Sequence, residues 1–425
     1  MIKSALHSIK DDFSRSLFYW LAFVLTSMFM FLFFHLSLSD LVGVTFINSK
    51  NDMSTFITVL VIAICMVVIF FANDFYVKKK SKELAVRLVC GATYMQIASY
   101  LLIQTMSLFV LAIPFGILLA LLLFPVINQG LYVLTGISHA LNIQGGAIIS
   151  TIVILVVEIF WCTILNLGYA YRSSIRALMT NNKIVLNLAF TPLSLNFKMT
   201  KNFKKWASLL LFFIPIILFY FVGEDSSNML FLAILGIFGL FLGIDNFVIP
   251  TLNDFVQDRY ADDHIKVAYL GFLRSDISMM KMNVILLITS AILLITILIT
   301  SLDNPIEVML SIISFIVINI LLSLSVMFKF STEIYDRKKV YASIERLGYM
   351  KDDQKKLIRK EILGLYGFIG GISLFYIINI FIVLMIYHDL NVYFVLGMVI
   401  SFLIPLIICA MINMIYYQRM ILKED

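Results

Sequence analysis

Ten stretches of this chain are too apolar and too long for a water-soluble fold: residues 17–37, 56–76, 101–125, 147–167, 206–222, 229–249, 283–301, 307–328, 364–386 and 392–416 run almost without charge. Each approaches or exceeds the ~18 residues needed to cross a hydrocarbon core about 30 Å thick. In lipid the backbone must satisfy its own hydrogen bonds, so each run reads as a helix. Hydrophobic residues make up 61% of the 425 and charged residues 14%, against about 45–50% and 25% in soluble domains. No single water-soluble core hides that much apolar surface, so the expected fold is all-α, a polytopic transmembrane helical bundle of ten spans. The first run follows Lys3, Lys10 and Arg15, as in a signal peptide. It is too long for an h-region and no small-residue cleavage site follows, so it reads as a retained helix.

Positive loops stay on the cytoplasmic side. With the N-terminus inside, the cytoplasmic segments 1–16, 77–100, 168–205, 250–282, 329–363 and the tail hold every Lys and Arg except Lys50. The outer loops carry Asp40, Glu224, Asp225, Asp303 and Asp389. Both termini are thus expected in the cytoplasm. The net charge of +6 is accounted for by this topology, with Lys78, Lys79, Lys80 and Lys82 suited to anionic headgroups and no call for nucleic acid. Cys65, Cys90, Cys162 and Cys409 fit neither a disulfide framework nor a zinc spacing and read as packing residues.

The chain also echoes itself. An amphipathic lead-in, Ala5–Lys10, precedes span 1, and Ala268–Arg274 precedes span 7. After span 2 comes a basic stretch from Lys78 through Lys82, Glu83 and Arg87 to Gly91, and after span 8 one from Asp336 through Glu345 and Arg346 to Gly348. The two glycines lie 257 residues apart. In both places a basic cluster is expected to open a helix of about two to three turns that a glycine closes. Spans 1–4 and 7–10 thus read as parallel repeats joined by spans 5–6, an arrangement that in several transporter folds surrounds an axis along the membrane normal.

The stretch Lys82-Glu83-Leu84-Ala85-Val86-Arg87-Leu88-Val89-Cys90-Gly91-Ala92 resembles the signature of FtsX/MacB-type ABC transporter permeases, and Glu345-Arg346-Leu347-Gly348-Tyr349 is a looser version of it. The ten-span layout is similar to that of BceB-type antimicrobial-peptide resistance permeases. The resemblance implies an FtsX-like repeat over residues 1–170, a two-helix linker over 171–260 and a second FtsX-like repeat over 261–425. It implies a mechanotransmitter worked by two copies of a separate ABC ATPase, with ATP and Mg on that subunit and no cofactor here. Lys82, Glu83, Arg87 and Gly91, with Glu345, Arg346 and Gly348, would mark the coupling surfaces; the other reading of these segments is a solvated juxtamembrane loop. Relatives carry a large extracellular domain that Leu38–Thr55 and Ser301–Pro305 are too short to supply, which leaves the substrate open.

No Gly-Lys pair occurs, which excludes a P-loop, and the five histidines have no metal-ligand spacing. His35 reads as an interfacial residue. Glu158 in span 4 and Asp245 in span 6 are carboxylates well inside their spans, functional candidates by type. Each is expected to be protonated or to accept hydrogen bonds from a neighbouring helix. For Glu158 a substrate or gating role stands beside structural glue; for Asp245 the structural role is preferred. Asn319, Asn379 and Asn413 are expected as interhelical glue, Gly364, Gly367, Gly370 and Gly371 as close-approach points, and Pro114, Pro215 and Pro405 as kinks.

The leading expectation is a permease subunit, not itself an enzyme, in a bacterial cytoplasmic membrane. It would serve export or extrusion of an amphipathic peptide or lipid-like substrate, as in antibiotic resistance or immunity. The alternatives are a regulatory module acting on a sensor kinase or cell-wall hydrolase, and a proton-coupled secondary transporter using Glu158.

Overall fold

The structure, a computed structural model, describes residues 7, 13–38, 52–135, 143–172, 201–221, 226–258, 263–300, 305–346, 348–387 and 390–422. They form α1 (Phe13–Ser37), α2 (Asp52–Val89), α3 (Tyr94–Thr135), α4 (Gly145–Arg172), α5 (Lys201–Phe219), α6 (Ser226–Gly243), α7 (Ile249–Asp258), α8 (His264–Thr300), α9 (Pro305–Arg346), α10 (Lys351–Tyr387) and α11 (Val392–Leu422). No strand occurs among the described residues. Among the described residues nine helices are long and apolar enough to cross a membrane, so the chain is a polytopic helical membrane protein. The remaining expected span is α5, a 19-residue helix that opens on Lys201, Lys204 and Lys205; it is not one of the nine. The lead-in at residues 5–10 and the loops 39–51 and 301–304 lie outside the described residues, apart from His7, which is helical.

The chain divides into two compact units, residues Met1–Asn196 and Phe197–Asp425. The second takes in α5 and α6 along with α8–α11. Within the first, α1 packs on α2, α3 and α4. Gly116 of α3 makes this possible, because a Cβ there would meet Ser27 and the backbone of Val24 on α1. Within the second, α8 is the central helix, packed on α6, α9 and α10, with 78% of its apolar window buried. By contrast α3 and α11 bury 22% of theirs and turn Val110, Leu122, Ile404 and Ile415 outward. Exposed apolar rows on that scale suit hydrocarbon as solvent.

Two expectations of local structure are corrected. The basic segments are not separate short helices: α2 and α9 run without a break from their apolar windows into them, as α8 does from its lead-in. No Gly or Pro interrupts either junction, so each helix simply continues. The apolar window of α2 ends at Lys78 and that of α9 at Ser331, leaving stiff projections of about 16 Å and 22 Å at 1.5 Å per residue. His35, expected at the interface, is instead buried within the protein, its ring tilted against those of Phe31 and Phe124, with Nδ1 2.8 Å from the Phe31 carbonyl.

Asn413 does tie helices, donating to the Tyr366 hydroxyl at 2.7 Å and accepting from Ser331 at 3.0 Å. Asn379 accepts from Tyr220 at 3.0 Å, whereas the buried Asn319 amide has no hydrogen-bond partner. Of the four α10 glycines, Gly364 meets Tyr269 and Gly370 meets Leu406, while Gly367 and Gly371 face open space. Pro114, Pro215 and Pro405 all lie inside helices. Between α6 and α7, residues Ile244–Val248 form a π-helical turn, with the Ile249 N–H donating to the Ile244 carbonyl. Pro250 explains it: its ring would crowd the Asn246 carbonyl and it has no N–H to give, so the helix widens just before it.

Candidate functional site

Both projections end in the same way. At Gly91, with φ +90°, the Ala92 N–H returns to the Arg87 carbonyl at 3.0 Å and the Gly91 N–H to Leu88 at 3.0 Å. At Gly348, with φ +97°, the Tyr349 N–H returns to Ile344 at 3.4 Å and the Gly348 N–H to Glu345 at 3.0 Å. This is the Schellman stop, which needs a left-handed residue and so favours glycine. Thr93 and Gln96 then start α3 with reciprocal side chain to backbone bonds of 3.3 and 3.0 Å, a capping box. Asp352 and Asp353 occupy the first turn of α10, where the helix dipole favours them.

The structure divides the expected coupling residues. Glu83 is turned toward its own unit: its carboxylate accepts from the Tyr100 hydroxyl of α3 at 2.5 Å, from Lys80 at 3.2 Å and from Arg87 at 3.2 Å. The Arg87 guanidinium lies 3.8 Å from the centre of the Tyr100 ring. Burial pushes the Glu83 carboxyl up, but the Tyr100 hydrogen bond, Lys80 and Arg87 outweigh it and hold the group below its ordinary range. The Glu83 carboxylate is therefore ionised throughout the neutral range. The Lys82 side chain lies outside the described residues. Glu345, Arg346, Gly91 and Gly348 are exposed.

Sequence reasoning missed the apolar part of these surfaces. Val86, Val89, Tyr94 and Met95 around Gly91 are exposed, Val89 at 61% and Met95 at 59%. Beside Gly348, Met350 is 76% exposed and Val340 is also open. Large apolar side chains set around a rigid turn, at the charged end of a helix, are the composition of a protein-docking surface. The heptad-free spacing of Val86 and Val89, one turn apart just before a glycine stop, was the available signal.

A buried charge cluster was missed as well. Arg337 of α9, 7% exposed, pairs with Asp276 of α8 and Glu361 of α10, both essentially buried. Tyr341 and Tyr417 donate to Glu361 at 3.2 and 3.3 Å. Burial pushes the Tyr341 hydroxyl up, so it serves as a donor. Helices α9, α10 and α11 thus meet on the Glu361 carboxylate, and Arg337 links α8 to them through Asp276.

The two expected intramembrane acids behave differently. Asp245, in the π turn, accepts from Lys281 of α8, whose ammonium sits 3.9 Å from the Phe241 ring centre. Glu158 is 0% exposed and neither of its oxygens has a hydrogen-bond partner. Burying a polar group without a partner costs about 1–3 kcal/mol in mutational data. Glu158→Met is accordingly expected to raise stability by that amount, read as a higher Tm in detergent; a lower Tm would show that the acid is compensated.

The fold defines a membrane-embedded helical protein in which α2 and α9 end in glycine-closed turns. Residues 55–175, which span α2, α3 and α4, match the family model described as FtsX-like permease C-terminal. No curated protein matches the chain.

Proposed function

We propose that the chain is the permease subunit of an ABC transporter, docking a separate ATPase at the Gly91 and Gly348 turns. The observation that carries this is the pair of Schellman-closed helix projections, each presenting exposed apolar side chains, the first of them inside the matched permease domain. The positive-inside pattern supports a cytoplasmic location for both turns and both termini, and the family resemblance a bacterial cytoplasmic membrane. Residues 1–170 and 261–425 act as the two FtsX-like repeats. One ATPase copy binds per turn, two per chain, carrying the ATP and Mg. A helix projecting about 16 Å or more moves as a rod, so closure of the ATPase pair reaches the membrane core. The cargo, an amphipathic peptide or lipid-like molecule extruded for resistance or immunity, follows from the family resemblance.

The test is native mass spectrometry of the chain co-purified with a candidate ABC ATPase. Two copies are expected in the wild type. Val89→Asp and Met95→Asp together should remove one copy, weakening that contact by about tenfold or more, and Met350→Asp the other, with Tm unchanged. A chain that functions in membranes with no ATPase bound would overturn the proposal. That result would favour the second reading, proton-coupled secondary transport, for which the unpartnered Glu158 is the supporting observation. A sensor kinase or hydrolase partner would show as a different added mass.

A further inference from the structure

The buried charge cluster fixes α8, α9, α10 and α11 at one height. Asp276 of α8 and Glu361 of α10 pair with Arg337 of α9, and Tyr417 of α11 donates to Glu361 at 3.3 Å. Four more cations lie within two residues of this plane, about 3 Å at 1.5 Å per residue: Arg274 of α8, Arg359 and Lys360 of α10, and Arg419 of α11. All four are exposed, and among the described residues none takes part in an ion pair or hydrogen bond.

Their depth sets them apart from ordinary solvated charge. Arg337 lies six residues, about 9 Å, beyond the end of the α9 apolar window at Ser331, and the headgroup zone is about 5–8 Å deep on each side of the hydrocarbon. Long Lys and Arg side chains lie along apolar surface and carry their charge to that zone. On the membrane side of the plane the surface turns apolar at once: Leu363 of α10 is 55% exposed and Ile415 of α11 50%. The exposed row of α10 runs from Lys360 through Leu363, Gly367 and Gly371 to Phe375. A Cβ at either glycine would meet nothing within 4 Å, which leaves a shallow notch against which an acyl chain can lie. Crossing the membrane does not in itself call for such cations, since α3 has no charged residue from Tyr94 to Thr135.

We infer that Arg274, Arg359, Lys360 and Arg419 form a binding belt for acidic phospholipid, with the headgroup phosphate on the cations and a chain along α10. A cationic end beside an apolar row complements a lipid whose headgroup is negative and whose tail is hydrocarbon. Four like charges at one height repel one another, and a bound anionic headgroup relieves that repulsion. No ATPase enters the inference, so it stands apart from the proposed function.

It is tested by native mass spectrometry of the full chain in detergent, titrated with phosphatidylglycerol or with phosphatidylcholine of the same chain length. Phosphatidylglycerol is expected to bind at least about tenfold tighter, because each cation near an anionic headgroup adds to the difference. Arg274→Gln, Arg359→Gln, Lys360→Gln and Arg419→Gln together should abolish that preference and leave phosphatidylcholine binding as it was. The control, Lys266→Gln with Lys351→Gln, Lys355→Gln and Lys356→Gln, removes four exposed cations at least about 7 Å farther along the helices and should keep the preference within about threefold. Both variants change exposed positions only and should hold the wild-type Tm. Equal affinity for the two lipids in the wild type overturns the inference. So does a control that loses the preference as fully as the belt variant, since total charge alone would then attract the lipid. Inorganic phosphate should not compete at equal concentration; if it does, the cations hold a free anion and the lipid reading falls. Should the fourfold variant not fold, Arg359→Gln with Lys360→Gln decides: a drop of about threefold or more is expected, and an unchanged preference overturns the inference.

Discussion

Arg337→Ala is expected to destabilise the protein by about 3–5 kcal/mol, the range for removing one partner of a buried ion pair. The cost comes from what remains. Asp276 and Glu361 are both buried, and without the guanidinium between them two carboxylates share one low-dielectric site. Glu361 keeps the Tyr341 and Tyr417 hydroxyls, which offset part of the loss on its side. Arg337→Ala combined with Asp276→Asn and Glu361→Gln should recover part of it, because neutral groups no longer repel. Thermal unfolding in detergent, followed by tryptophan fluorescence, checks both. A single variant within about 1 kcal/mol of wild type, the scale of an exposed ion pair, would mean that the cluster is solvated.

The second large effect is expected at Gly239. A Cβ there would come closer than 3.0 Å to the Leu211 carbonyl carbon and oxygen and to the Phe212 nitrogen. These are backbone atoms of α5, which no rotamer change can move. Gly239→Val must therefore separate α5 from α6 and should cost about 3 kcal/mol or more, above the usual range for overpacking. Gly236→Ala meets instead the hydroxyl end of Tyr376, a side chain that can turn, and should cost less. Gly367→Ala and Gly371→Ala meet nothing within 4 Å and should be neutral or stabilise α10 by about 0.5–1 kcal/mol. The order of the four Tm values is the check, and a Gly239→Val variant as stable as Gly367→Ala would contradict the close approach of α5 and α6.

The helices that cross the membrane could be read directly, because hydrocarbon leaves a long uncharged run as its trace. The glycine stops were legible for a related reason: only a residue tolerant of positive φ closes a helix as Gly91 and Gly348 do. What the sequence hid was direction. Glu83 and Arg87 look like surface charges in a basic stretch, yet Tyr100 of α3, 17 and 13 residues further on, draws both inward. Asp276 and Glu361 fell in segments counted as cytoplasmic loops because charge was assigned by segment. Once α8, α9 and α10 are continuous helices, those residues face one another. The 257-residue register, applied at every position and not only at the glycines, would have matched Arg337 with Lys80 as the equivalent position in sequence. It would not have revealed the pairing, which depends on how three helices pack.

The central claim, that the Gly91 turn docks an ATPase, has a built-in probe. Cys90 is the exposed thiol of the four, since Cys65, Cys162 and Cys409 are buried, and it precedes Gly91 directly. A photo-activated maleimide attached to Cys90 in native membranes, and to Met350→Cys in a Cys90→Ser background for the second turn, should yield adducts with the ATPase in both cases. Saturating labelling of an active transporter with no ATPase adduct at either turn would contradict the account.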